Sequence, residues 1–172
     1  MTRFDHVQLP STALLTTLDR AEDRRAEFFH DIWRVIVGSL SLAGALIPGL
    51  RVISFIAGKY SLRRTVTDAS TGLPRPIISF STQYIPVMSA VADTFVLIPF
   101  VKSAHAAFTD PKHGPEMKHF LAAVSKVTLF ERSLKNVTAL GDRCGAQGLL
   151  QANQFNPFLV CIGVSLVLQA AL

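Results

Sequence analysis

The chain has 172 residues, a net charge of +5, and 49% hydrophobic against 17% charged residues. That length admits one domain with a core of its own. The basic balance suits anionic partners such as phosphates, but there is no Cys/His finger, basic zipper or aromatic RNA-reading motif, which excludes the familiar nucleic-acid readers.

Charge lies below the usual quarter of residues, so the apolar surplus needs a partner subunit, a covering domain or a membrane. The two cysteines, Cys144 and Cys161, do not amount to a disulfide framework. The opening MTRFDHVQLP lacks the apolar core of a signal peptide. An intracellular chain is therefore expected, cytoplasmic or peroxisomal. Ala170-Ala171-Leu172 lacks the basic middle residue of a peroxisomal tripeptide.

Residues 1–10 alternate apolar and polar up to Pro10, which predicts a short strand end and a turn. Ser11 and Thr12 offer caps for the next segment. The charged run Asp19 to Arg25 predicts a solvated helix. Trp33 to Tyr60 is a long apolar helix rich in small residues, with a kink expected at Pro48. Residues 65–76 read as a loop, on Asp68, Ser70, Gly72, Pro74 and Pro76.

A helix is predicted over 79–108, with Ile85, Met88, Val91, Phe95 and Ile98 on its apolar face. Pro115 is placed to start a third helix that runs to about Arg143. Its apolar side carries Met117, Phe120, Val124, Val127, Leu134 and Val137. A glycine turn, Cys144-Gly145-Ala146-Gln147-Gly148, precedes a last apolar segment from Pro157 to Leu172. Long helices with short links predict an all-α, up-down bundle.

Four segments carry a family resemblance. They are Phe4 to Pro10 with Leu14-Leu15; Lys59-Tyr60-Ser61-Leu62-Arg63-Arg64; Pro76-Ile77-Ile78 with Gln83; and Arg143-Cys144-Gly145-Ala146-Gln147-Gly148. In this order and spacing the chain resembles the C-terminal helical domain of acyl-CoA dehydrogenases and acyl-CoA oxidases, nearest to an oxidase-like fungal branch. The resemblance implies that residues 1–14 are the end of a middle β-domain and 15–172 the helical bundle. It also implies FAD as cofactor, an acyl-CoA substrate, and α,β-desaturation in fatty-acid-like or polyketide-like metabolism. Partners would be further copies or a full-length homologue. The domains that hold the flavin ring and most of the acyl-CoA would lie outside this sequence.

Carried over residue by residue, the resemblance puts Arg64 on the FAD diphosphate, where a guanidinium fork suits a phosphate. Arg63 is the alternate, and Gln83 falls near the adenosine. The turn glycines Gly145 and Gly148 approach the cofactor, although the same turn is also an ordinary helix end. Ala146, Gln147 and Leu149 depart from the family turn. The family's catalytic glutamate comes after that turn, to take a proton beside the thioester carbonyl, yet this sequence has no Asp or Glu after Asp142. Glu22 and Glu27 are the remaining weak candidates, set in a charged run that suits a solvated helix face.

The histidines lack metal-ligand spacing. Three alternatives stand beside the enzyme: a non-catalytic bundle that pairs with a full-length homologue, a decayed copy with no function of its own, and a small membrane protein. For the last, Val35 to Gly58 approaches a bilayer span, but Arg51 and Pro48 argue against it.

Overall fold

The computed structural model describes residues 3, 5–13 and 22–170. Phe4, Leu14, Leu15, the start of the charged run at 19–21 and the last two residues lie outside the described part. Among the described residues before 14 there is no strand, and Ser11–Ala13 forms one 3-10 turn. The expected strand end has no neighbouring strand to complete a ladder, so its alternation has nothing to pair with.

Helix α1 (Arg24–Asp31) starts inside the charged run because Asp23 caps it. The Asp23 carboxylate accepts the amides of Arg25 and Ala26 at 2.9 and 3.1 Å. The long apolar stretch divides into α2 (Trp33–Gly44) and α3 (Leu46–Arg63). Pro48 cannot donate to the Gly44 carbonyl, and its ring crowds that oxygen. The break therefore falls at Ala45, one turn ahead of the proline.

The expected loop at 65–76 contains a small antiparallel hairpin, β1 (Thr65–Thr67) with β2 (Pro74–Pro76), Thr65 lying opposite Pro76. Two prolines fit because this strand is an edge with no further ladder to feed. Asp68 organises the turn: its carboxylate accepts the Ser70 amide at 2.8 Å and the Ser70 hydroxyl at 2.6 Å, and pairs with Arg75 at 3.3 Å. Gly72 supplies the positive φ of 68°.

Three long helices complete the chain: α4 (Ser81–Thr109), α5 (Pro115–Cys144) and α6 (Phe155–Ala170). α5 is central and packs against α2, α3, α4 and α6. α3 runs antiparallel to α4: Gly58 on α3 faces Val87, and Gly44, at the end of α2 just ahead of α3, faces Val101. α4 and α5 are antiparallel too, since Asp93 bonds Asn136 while Thr82 bonds Arg143. The fold is all-α. By length and composition alone, residues 33–63 and α4 could each cross a bilayer.

The buried faces are not those the apolar spacing selects. α4 buries Gln83, Val87, Ala90, Thr94, Leu97 and Val101, leaving Ile85, Met88 and Phe95 exposed. α5 buries Ala122, Ser125, Leu129, Ser133, Asn136 and Leu140 among others. Of its predicted side only Val137 is buried, while Met117, Phe120, Val124, Val127 and Leu134 are exposed. Both helices are apolar on more than one side, so spacing alone cannot choose between them. The side with smaller residues lets the axes approach and becomes the seam.

Leu129→Ala should therefore cost about 2–5 kcal/mol, whereas Val124→Ala should stay within roughly 0.5 kcal/mol. Urea unfolding of the two variants checks this, and equal losses would restore the predicted face. Asp68 gives a second expectation. Its hydrogen bonds with Ser70 hold its pKa down to about 2, below the ordinary 3.8. A lowered carboxylate stabilises the hairpin fully above its unfolded pKa, and the contribution is lost as pH falls through about 2. The Ser70 amide should lose its distinct NMR shift over that window, and in Asp68→Ala it should be absent at every pH.

Candidate functional site

The antiparallel order brings the end of α3, the start of α4 and the end of α5 to one end of the bundle. A hydrogen-bond chain locks them together. Ser61, fully buried, donates to the Ala57 carbonyl at 2.7 Å. The Gln83 amide donates to the Ser61 hydroxyl at 2.8 Å and to the Arg143 carbonyl at 3.3 Å. In return, the Arg143 guanidinium donates to the Thr82 carbonyl at 3.3 Å. That carbonyl is free because Pro86, four residues on, has no N–H to give it.

Of the residues singled out from sequence, Arg64, Gln83, Gly145 and Gly148 all fall at this end, in different settings. Arg64 is exposed and closes α3, its amide donating to Tyr60 and its carbonyl accepting from Ile77. Its side chain lines a cleft of about 590 Å³ together with Lys59, Arg63, Tyr60, Phe55 and Asn153. Among the described residues no carboxylate lines this cleft, and its lining charge is positive. Three exposed cations around one opening suit a diphosphate.

Gln83 is buried, and both bonds of its amide nitrogen are made inside the protein. Gly145 caps α5 with φ 57° and ψ −138°, a backbone conformation that glycine takes far more readily than other residues. Gly148 is buried against α5, where a Cβ would lie 2.6 Å from the Gly141 carbonyl oxygen. The close approach served by this glycine is therefore to the chain's own backbone. A second cavity, of about 330 Å³, lies beside the turn between Asp142, Gly145, Gly148, Asn156 and Leu159. The residues present fit the phosphates of a dinucleotide better than a flavin ring.

Glu22 and Glu27 are placed elsewhere. α1 meets the beginning of α5, where Arg25 pairs with Glu116 at 3.0 Å and the rings of Phe29 and His119 lie 5.7 Å apart. Roughly 40 Å of helix separates that end of α5 from the glycine turn. Glu22 is exposed and Glu27 half-buried. The structure does not bring either one to the Arg64 cleft.

Sequence reasoning missed Lys59 as a cleft residue, and it missed Ser61 and Arg143 as ties. One signal was available, since Pro86 inside a helix marks Thr82 as a carbonyl in need of a donor. Cys144 is buried, which pushes its thiol up to about 11 and makes it inert. No group of three His, Cys, Asp or Glu side chains capable of holding a metal occurs among the described residues. No family model, curated protein or solved structure matches this chain.

Gln83→Ala should lose about 1–3 kcal/mol by leaving the Arg143 carbonyl without its side-chain donor. Gly148→Ala should lose a similar amount, about 1–3 kcal/mol, through its clash with Gly141. Thermal unfolding reads both. Unchanged stability would mean that these residues are not structural ties.

Proposed function

We propose that this chain is the C-terminal bundle of an acyl-CoA dehydrogenase- or oxidase-type flavoprotein, and that it holds the diphosphate of an FAD whose ring is bound by another chain. The reaction so served is α,β-desaturation of an acyl-CoA. The observation that carries this reading is the meeting of three separate segments, 59–64, 76–83 and 143–148, at one end of the bundle, beside a cleft whose charged side chains are all cations. Bound FAD supplies the hydride acceptor.

The residues of this chain have a narrower task. Arg64 offers a two-pronged donor to phosphate oxygens, with Arg63 and Lys59 adding charge beside it. Gln83 and Arg143 hold the three helix ends that position the cleft. The proton beside the thioester needs a carboxylate close to that carbon. Residues 143–172 contain none, and Glu22 and Glu27 stand at the far end of α5. The base is therefore assigned to the same partner chain that holds the ring. Exposed apolar residues along α5, from Met117 to Leu134, provide surface for such pairing. A full-length homologue is the partner in this reading, since a further copy would bring only the same residues.

FAD added to the purified chain should bind weakly and in a salt-dependent way, as followed by flavin fluorescence. Pyrophosphate should compete, and Arg64→Gln should weaken binding by roughly tenfold, the loss of one charge-assisted contact. Binding indifferent to pyrophosphate and to Arg64 would sink the proposal. The chain alone should not bleach the flavin band when an acyl-CoA is added. Bleaching would place the base within these 172 residues.

A further inference from the structure

A second surface adjoins the phosphate cleft and shares Phe55 and Lys59 with it. Between α3 and α4 runs an open groove of about 450 Å³. Its floor includes Ser54, Gly58 and Thr94, whose small side chains make the depression. Its walls are apolar and large: Phe55 and Leu62 on α3, Phe95 and Ile98 on α4. Phe55 and Phe95 are 66% and 72% exposed, which is costly for aromatic side chains left uncovered. Among the described residues, the charged ones lining the groove are Arg51 and Lys59. Along α3 they stand two turns apart, about 12 Å, and the groove itself is about 17 Å long.

We infer that this groove docks an acidic amphipathic helix of a partner protein, about three turns long, with its apolar face between Phe55 and Phe95 and its carboxylates on Arg51 and Lys59. An α-helix laid in a groove contacts it every three to four residues, so acidic residues seven or eight apart reach both cations. The shape favours a helix over a bilayer, since a rod laid between Phe55 and Phe95 fills the hollow over Ser54, Gly58 and Thr94 and a flat lipid surface does not. The charge disfavours a second copy. This chain carries +5, and the carboxylates on the exposed apolar stripe of α5, Glu116 and Glu131, are fifteen residues apart, where Arg51 and Lys59 call for a spacing of seven or eight.

The test uses the full chain and a fluorescein-labelled helical peptide of about three turns, with leucines at i, i+3, i+7 and i+10 and glutamates seven apart on the flank of that stripe. Anisotropy should show micromolar binding that weakens as salt rises. Phe95→Asp, an exposed site, should reduce affinity at least about tenfold. Arg51→Glu should weaken it and be rescued by a peptide whose matching glutamate is lysine. Phe120→Asp, on α5, should leave binding unchanged. Absence of binding, or binding that ignores Phe95 and Arg51, overturns the inference. So does Phe95-dependent sedimentation with phosphatidylserine vesicles when the peptide does not bind, which would make the occupant a bilayer. A dimer that Phe95→Asp dissociates would make the occupant a second copy and likewise overturn it. The inference does not rest on the flavin reading. Phe95→Asp should leave FAD binding intact and Arg64→Gln should leave peptide binding intact, so each can fail alone.

Discussion

A missing hydrogen organises one end of this molecule. Pro86 cannot donate to Thr82, and a carbonyl left bare near the start of a packed helix needs another donor. Arg143 reaches across from α5 to provide it, and Gln83, the neighbour of Thr82, returns a hydrogen bond to the Arg143 backbone. Ser61 joins the third helix to the pair. Each of these groups would be left unsatisfied if one helix slid by a turn, so the tie fixes the register of α3, α4 and α5 together. The direction in which Lys59, Arg63 and Arg64 project depends on that register, and so does the shape of the cationic cleft.

Along the rest of the bundle the dominant constraint is size. Ala43, Ala57 and Ala90 are completely buried, as is Ser133, while Phe55, Phe95 and Phe120 stand outside. Small residues at the seams let helix axes come close and gain backbone contact. The larger apolar side chains, placed on the other sides of the same helices, are then left facing solvent. That distribution explains how a chain nearly half hydrophobic has both a packed core and long exposed apolar stripes. Ser133 shows what the packing costs, because its hydroxyl is buried without a hydrogen-bond partner.

How much of this was legible in the sequence depended on how local the signal was. Pro115 behind Gly114 marked the start of α5, and Gly145 its end, because each acts within one turn. Pro48 marked the α2–α3 break to within a turn. The faces of α4 and α5 were not legible: Met88 and Val87, or Val124 and Ser125, are adjacent, and nothing in a single helix tells which will meet a neighbour. The hairpin at 65–76 was hidden by its prolines, which usually speak against strands. Of the site, the cations 59–64 and the glycine turn could be found from their types. The internal roles of Gln83 and Gly148 could not, since those depend on Ser61, Arg143 and Gly141 brought in by the fold.

The residues singled out from the sequence are divided between the two ends of the molecule. The exposed cations Lys59, Arg63 and Arg64 gather at one end of α5, and Glu22 and Glu27 lie at the other. Proton abstraction beside a thioester and phosphate binding on the same substrate–cofactor pair need groups within one site, because a carboxylate acts only at hydrogen-bond range. A separation of roughly 40 Å along one rigid helix cannot be closed by side-chain motion. Neither Glu22 nor Glu27 can therefore act as the base for chemistry at this cationic end of the bundle. The fold keeps that end open: the cleft walls are formed by exposed arginines and by the exposed Phe55, with nothing folded over them among the described residues. The open cleft and the uncovered apolar faces are two sides of the same arrangement, in which small residues take the seams and the large apolar and cationic side chains face outward.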